Sequence, residues 1–131
     1  WHTLGVAQAI AKNDPKIAIA LSAALGVESA LINGPVKSMF KRSRPVQDAP
    51  RPYNLRQPKT SSFPSGHASA AVVAAAMLSR NGGGAAWYAL AGLVATSRIH
   101  VRIHHASDVA GGLAAGALLG TVARRVADAL T

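Results

Sequence analysis

The chain has 131 residues, half of them hydrophobic, with two each of Phe, Tyr and Trp, no Cys, and fourteen Lys+Arg against five Asp+Glu for a net charge of +9. That size allows a single domain, 1–131, and the lack of Cys excludes disulfides, thiolate metal sites and cysteine-nucleophile chemistry. Asp14, Glu28, Asp48, Asp108 and Asp128 are too scattered to form the carboxylate cluster of a two-metal centre, so an anionic partner favoured by the positive charge must be held by cationic side chains and helix dipoles.

Residues 3–12 read as a short helix closed by Asn13-Asp14-Pro15, which both stops it and caps the next one. The second helix is expected over residues 16–42, kinked at Pro35; residues 17–36 carry Glu28 as their sole charge and are long enough to cross a bilayer. Residues 43–64, rich in Pro, Arg and Lys, read as a long ordered loop. A third helix opens at Pro64-Ser65-Gly66-His67 and ends at Ser79-Arg80-Asn81 and three glycines; helices four and five follow over residues 85–103 and 105–129. Gly112, Gly116 and Gly120 make a small-residue stripe suited to close helix packing. The fold class is all-α, an antiparallel bundle of about five helices. Trp1 opens the chain without an initiator Met or a signal sequence, so N-terminal helices are expected upstream of a trimmed, membrane-embedded core.

Short connections bring four places to one end of such a bundle: the end of helix two, the start of helix three, the end of helix four and the start of helix five. The unusual polar residues lie there. Lys37 and Arg44-Pro45 close helix two; Ser65, Gly66 and His67 open helix three, where free backbone N–H groups and the helix dipole favour an anion. Ser97-Arg98, His104 and Asp108 span the junction of helices four and five. Three cations, two hydrogen-bond donors and two histidines make a phosphate pocket with two titratable groups.

The ordered motifs KxxxxxxRP, PSGH and SRxxxxxHxxxD resemble the signature of the type 2 phosphatidic acid phosphatase family, whose site is similar to those of bacterial class A acid phosphatases and vanadium haloperoxidases. The match runs from Lys37 to Asp108 without a substituted motif position. The resemblance implies that His104 is the nucleophile, forming a phosphohistidine, that Asp108 orients its ring, and that His67 is the general acid. It further implies that Lys37, Arg44, Ser65, Gly66 and Arg98 bind the phosphoryl oxygens, and it leaves Ser97 without a role. Elementary chemistry agrees: without Cys or an aspartate pair, histidine is the candidate nucleophile, and a fixed Lys/Arg cage stabilises the charge that phosphoryl transfer spreads over equatorial oxygens.

The implied activity is metal-independent hydrolysis of a phosphate monoester or pyrophosphate, most readily of a membrane lipid, with no cofactor and no nucleic-acid partner. Three other readings are weighed against it. His100, His104 and Asp108 at i, i+4 and i+8 could ligate a metal along one helix face, although Arg98 and Arg102 beside them would repel a cation. The basic run from Lys37 to Lys59 could bind nucleic acid, but helices two and five are too apolar for that class. Vanadate-dependent halide oxidation or a soluble acid phosphatase would use the same cage. Lys41, Arg42, Arg51, Arg56 and Lys59 read as a solvated basic rim, His100 and His105 as surface or loop residues, and Glu28 and Asp48 have no assigned role. The expected location is a bacterial cell membrane. The positive residues at the site end would place it inside, but several belong to the site itself, and the resemblance implies an outward-facing site. The lipid and the oligomeric state stay open.

Overall fold

The computed structural model describes residues 1–46 and 58–130, so Asp48, Arg51 and Arg56 lie outside the described residues. Asn13 adopts a left-handed conformation, φ 52° and ψ 38°, and closes α1 (His2–Lys12). Asp14 Oδ1 then accepts the Lys16 backbone N–H at 3.0 Å and starts α2 (Lys16–Leu31). The Asn-Asp-Pro punctuation therefore acts as the sequence suggests. α3 (Gly66–Leu78) is capped by Ser65, whose side chain accepts from Ala68 N. It runs out through a single 3₁₀ turn, Ser79–Asn81, into Gly82 and Gly83, whose φ values of 104° and 72° suit only glycine. α4 (Gly84–His100) and α5 (Ala106–Ala129) complete the chain. No strand occurs among the described residues, and the fold is all-α.

α3 is the central helix. Its alanines and valines carry no polar face, and Ala68, Ala71, Val73, Ala74, Ala75 and Leu78 are all buried. α5, α4 and α2 pack around it, α5 most extensively. The glycine stripe is what lets α5 approach: a Cβ on Gly116 would fall 2.5 Å from the Ser69 carbonyl oxygen, and one on Gly120 would fall 3.0 Å from Ala76 Cβ. Gly112 likewise abuts the Ser65 carbonyl.

The outer surface is apolar. Ile19, Leu93 and Leu118 are each 67% exposed, and Val27, Val122 and Val126 are more than half exposed. Lys16–Val36, with a mean hydropathy of 1.6, is long and apolar enough to cross a membrane, as expected; Ala106–Ala129, with 1.3, also qualifies.

Candidate active site

The exit of α2 is shaped by Pro35. A residue preceding proline is driven out of helical geometry, and Gly34 takes φ −90° and ψ −107° within a π segment, Ile32–Val36. The kink falls where the sequence places it, but the helix stops at Ser38 instead of continuing to Arg42. Past Ser38 the ladder loosens: Met39 N–H is shared between the Pro35 and Val36 carbonyls at 3.3 and 3.2 Å, and Phe40 N–H turns to the Lys37 carbonyl at 3.2 Å. Lys37 is thereby turned back along α2, its Nζ donating to Asn33 Oδ1 at 2.9 Å.

The segment after the kink crosses the start of α5. Arg44 Nη1 donates to the Ile103 carbonyl at 2.8 Å and reaches His104 Nε2 at 3.4 Å, while its Nε and Nη2 donate to the Pro58 and Thr60 carbonyls at 3.1 and 3.4 Å. One guanidinium thus ties the loop to the α4–α5 connection, which a lysine could not reproduce. Arg42 is not a free rim charge. Its Nη1 lies 2.9 Å from Asp108 Oδ1 and donates to Ser107 Oγ at 2.8 Å.

At the start of α3, Gly66 and His67 face the cavity, and Gly66 is tight: a Cβ there would meet Asn33 Oδ1 at 3.1 Å and Lys37 Nζ at 3.6 Å. Ser65 does not line the cavity. It is fully buried behind Gly66, with its N–H donated to the Asp108 carbonyl at 2.9 Å and its Oγ accepting the Ala68 N–H. Arg98 does not line the cavity but is near enough to lower the His67 value. Its Nε donates to Ser97 Oγ at 3.0 Å, and Ser97 donates in turn to the Val94 carbonyl at 2.7 Å, so Ser97 props the arginine.

α4 ends at His100 and α5 begins at Ala106, so His104 sits in the connection between them. His104 Nδ1 lies 3.7 Å from Asp108 Oδ2 across the start of α5, within ion-pair range and beyond a hydrogen bond. The same break removes the metal reading built on His100, His104 and Asp108, because these do not share a helix face. Asp108 Oδ2 also accepts the His105 N–H at 2.8 Å, the His105 side chain reciprocally caps α5, and its Nε2 contacts the Ser43 carbonyl at 3.2 Å. His105 is thus a structural cap. His100 is exposed at the end of α4 and does not line the cavity.

Lys37, Arg44, Gly66, His67 and His104 share one cavity of about 450 Å³. Burial and, next, the Arg44 guanidinium hold the His104 imidazole down at about 4, with the Ser62 backbone and Asp108 pulling partly back. The ring is therefore neutral near pH 7. Arg44 can only donate, so the proton belongs on Nδ1, facing Asp108, and the Nε2 lone pair faces the cavity. Burial followed by Arg98, Lys37 and Arg44 lowers the His67 value as well. Lys37 and Arg44 are each lowered, first by burial; Arg44 next pulls Lys37 further down, whereas Asp108 pulls Arg44 back up.

The cavity brings Lys37 and Arg44 of the first motif, Gly66 and His67 of the second and His104 of the third together, and the PAP2 superfamily profile matches residues 16–131. The chain belongs to the PAP2 superfamily. It is 37% identical over 87 residues to the decaprenylphosphoryl-5-phosphoribose phosphatase of two Mycobacterium tuberculosis strains, an overlap of 66% of this chain and 49% of the relative. The chain therefore spans about half the length of the curated relatives it matches. The crystal structure of a transmembrane PAP2-type phosphatidylglycerolphosphate phosphatase from Bacillus subtilis shares its fold, with a TM-score of 0.72 at 24% identity over 98% of this chain and 67% of that one.

Proposed function

We propose that this PAP2 chain is the core of a metal-independent phosphatase that hydrolyses a phosphate monoester or pyrophosphate of a membrane lipid through a phosphohistidine. The observation that carries the reading is the His104 ring, neutral, with Nε2 turned toward Arg44 in the cavity that also holds Lys37, Gly66 and His67. Nε2 attacks phosphorus as the ester P–O bond breaks, and His67 gives its proton to the leaving oxygen. Water then attacks the phosphohistidine with His67 as base, the P–N bond breaks and inorganic phosphate departs.

Lys37, Arg44 and Arg98 offset the phosphoryl charge, with the Gly66 N–H at the start of α3. Ser65 supports this wall from behind. His67 must be protonated to act as an acid, and its lowered value opposes that in the free site; a bound phosphate dianion favours the charged ring and restores the proton when it is needed. The apolar surface and two membrane-length helices support an integral membrane protein. The relatives named as phosphatases of lipid-linked compounds support a lipid substrate. We place the protein in a bacterial cell membrane with the site facing outward.

The test uses substrate radiolabelled in the phosphoryl group, in mixed micelles with EDTA. A base-stable, acid-labile label on the protein, absent in His104→Ala, is expected. Turnover that requires added metal, or a label that survives His104→Ala, refutes the mechanism.

A further inference from the structure

The cavity holds more than a phosphoryl group needs, and its second wall has a different chemistry. About 450 Å³ is the size of a site for a whole small ligand. Beside the cationic wall, α2 contributes Glu28, Ser29 and Asn33. Glu28 is only 3% exposed, and its Oε1 has no hydrogen-bond partner, an arrangement that costs stability unless something else supplies a donor. Asn33 accepts from Lys37 at 2.9 Å and donates to Ser29 Oγ at 3.2 Å, which leaves the Ser29 hydroxyl hydrogen and the second Asn33 N–H for another acceptor.

In-line displacement by His104 sends the leaving oxygen to the side away from that ring, where His67 would protonate it, and the α2 residues line the same cavity as both histidines, within reach of the leaving alcohol. The charges on the two walls narrow what that alcohol can be. Lys37, Arg44 and Arg98 repel an ammonium group, and the unpartnered Oε1 of Glu28 is an acceptor that the oxygens of a second phosphate cannot satisfy. A neutral group with neighbouring hydroxyls satisfies both walls: it donates to Glu28 and accepts from Ser29 and Asn33. We propose that Glu28, Ser29 and Asn33 form a hydroxyl-binding subsite that selects phosphate monoesters of polyol or sugar alcohols over diphosphates. This rests on the phosphatase reading above and decides between the monoester and the pyrophosphate.

The experiment compares three substrates in mixed micelles with the full chain: phosphatidylglycerol phosphate, its analogue lacking the free glycerol hydroxyl, and farnesyl diphosphate. The wild type is expected to favour the hydroxylated monoester over its deoxy analogue by at least about tenfold in kcat/KM, since a site built to bond a hydroxyl rejects the compound without it. Glu28→Gln and Ser29→Ala should bring that ratio toward one by lowering turnover of the hydroxylated monoester more than that of the deoxy analogue, and Glu28→Gln should improve farnesyl diphosphate turnover. Equal wild-type rates on the matched pair overturn the subsite. So does a Glu28→Gln loss of the same size on all three substrates, which would mean that Glu28 only positions Lys37. The milder Ser29→Ala keeps the test open if Glu28→Gln fails to fold. A wild type inactive on every substrate refutes the phosphatase reading instead; calorimetric binding of the corresponding phosphonate pair then reads the subsite alone, with equal affinities overturning it.

Discussion

Replacing Arg44 by Gln should raise the pKa of His104, and the amount tests how the site keeps this imidazole neutral. The wild-type ring sits at about 4 against an ordinary 6.5, a difference of about 3 kcal/mol against protonation. Burial is the larger cause and Arg44 the next. A guanidinium nitrogen 3.4 Å from Nε2 opposes an imidazolium by at most about 5 kcal/mol at an effective dielectric of about 20, less where water reaches the half-buried Arg44. Arg44→Gln should therefore move the midpoint up from about 4 while burial keeps it below 6.5. Rate profiles also carry the second ionisation of the phosphate, near pH 6, so the ring is best titrated directly. Nuclear magnetic resonance of histidine-labelled protein in micelles does this, with the signal assigned by its loss in His104→Asn. A wild-type midpoint at or above 6.5, or one unmoved by Arg44→Gln, refutes the reasoning. The linkage sign follows: the folded value is depressed, so the unfolded chain binds the extra proton between pH 6.5 and about 4, and stability falls as pH drops through that window.

The two histidines should separate by leaving group. His104→Ala abolishes hydrolysis of lipid phosphates and p-nitrophenyl phosphate alike, whereas His67→Ala loses on the order of 10²–10⁴-fold on the lipid and much less on the phenol; equal losses for His67→Ala argue against the acid role. Arg42→Ala, which takes its partner at 2.9 Å from the fully buried Asp108 carboxylate, should cut kcat about tenfold and also lower the melting temperature, because it leaves a buried carboxylate one partner short, and Arg42→Lys should recover most of both; unchanged kcat in Arg42→Ala returns the residue to the solvated rim. Gly116→Ala should destabilise by about 1–3 kcal/mol through its clash with Ser69, while Gly26→Ala, with nothing within 4 Å of the new methyl, should be neutral or slightly stabilising. Thermal unfolding in detergent compares the two, and equal melting temperatures would refute the packing role of the stripe.

Much of this arrangement was legible because its signals are local. Asn13 and Asp14 carry their turn chemistry in sequence, the PSGH turn announces a helix start, and three glycines four residues apart declare a packing face. The second helix reads as longer in the sequence because residues 37–42 contain no breaker; the stop is visible only where the Met39 and Phe40 N–H groups turn to carbonyls three residues back. Arg42 was read as rim because a charge in a basic run says nothing of a carboxylate 66 positions later; only the fold brings them to an ion pair. His105 was ambiguous for the related reason that its cap is recognised by where α5 begins, not by residue type. Ser97 had a motif position but no chemistry until its contact with Arg98 was visible. The motif implies a phosphate contact for Ser65, whereas its buried hydroxyl accepts the Ala68 N–H and caps α3.

Asp108 has more than one employment. Its side chain closes the first turn of α5, faces His104 and meets Arg42, and its backbone carbonyl receives the Ser65 N–H from the start of α3. A saturation scan of the gene should therefore find this codon depleted twice, once in a screen for protein abundance and again in a screen for turnover normalised to abundance. His67, which lines the cavity, should be depleted in the second screen alone. Selection acting on such a chain has room to alter His67 without touching the fold, but it cannot alter Asp108 without reopening how two helices begin.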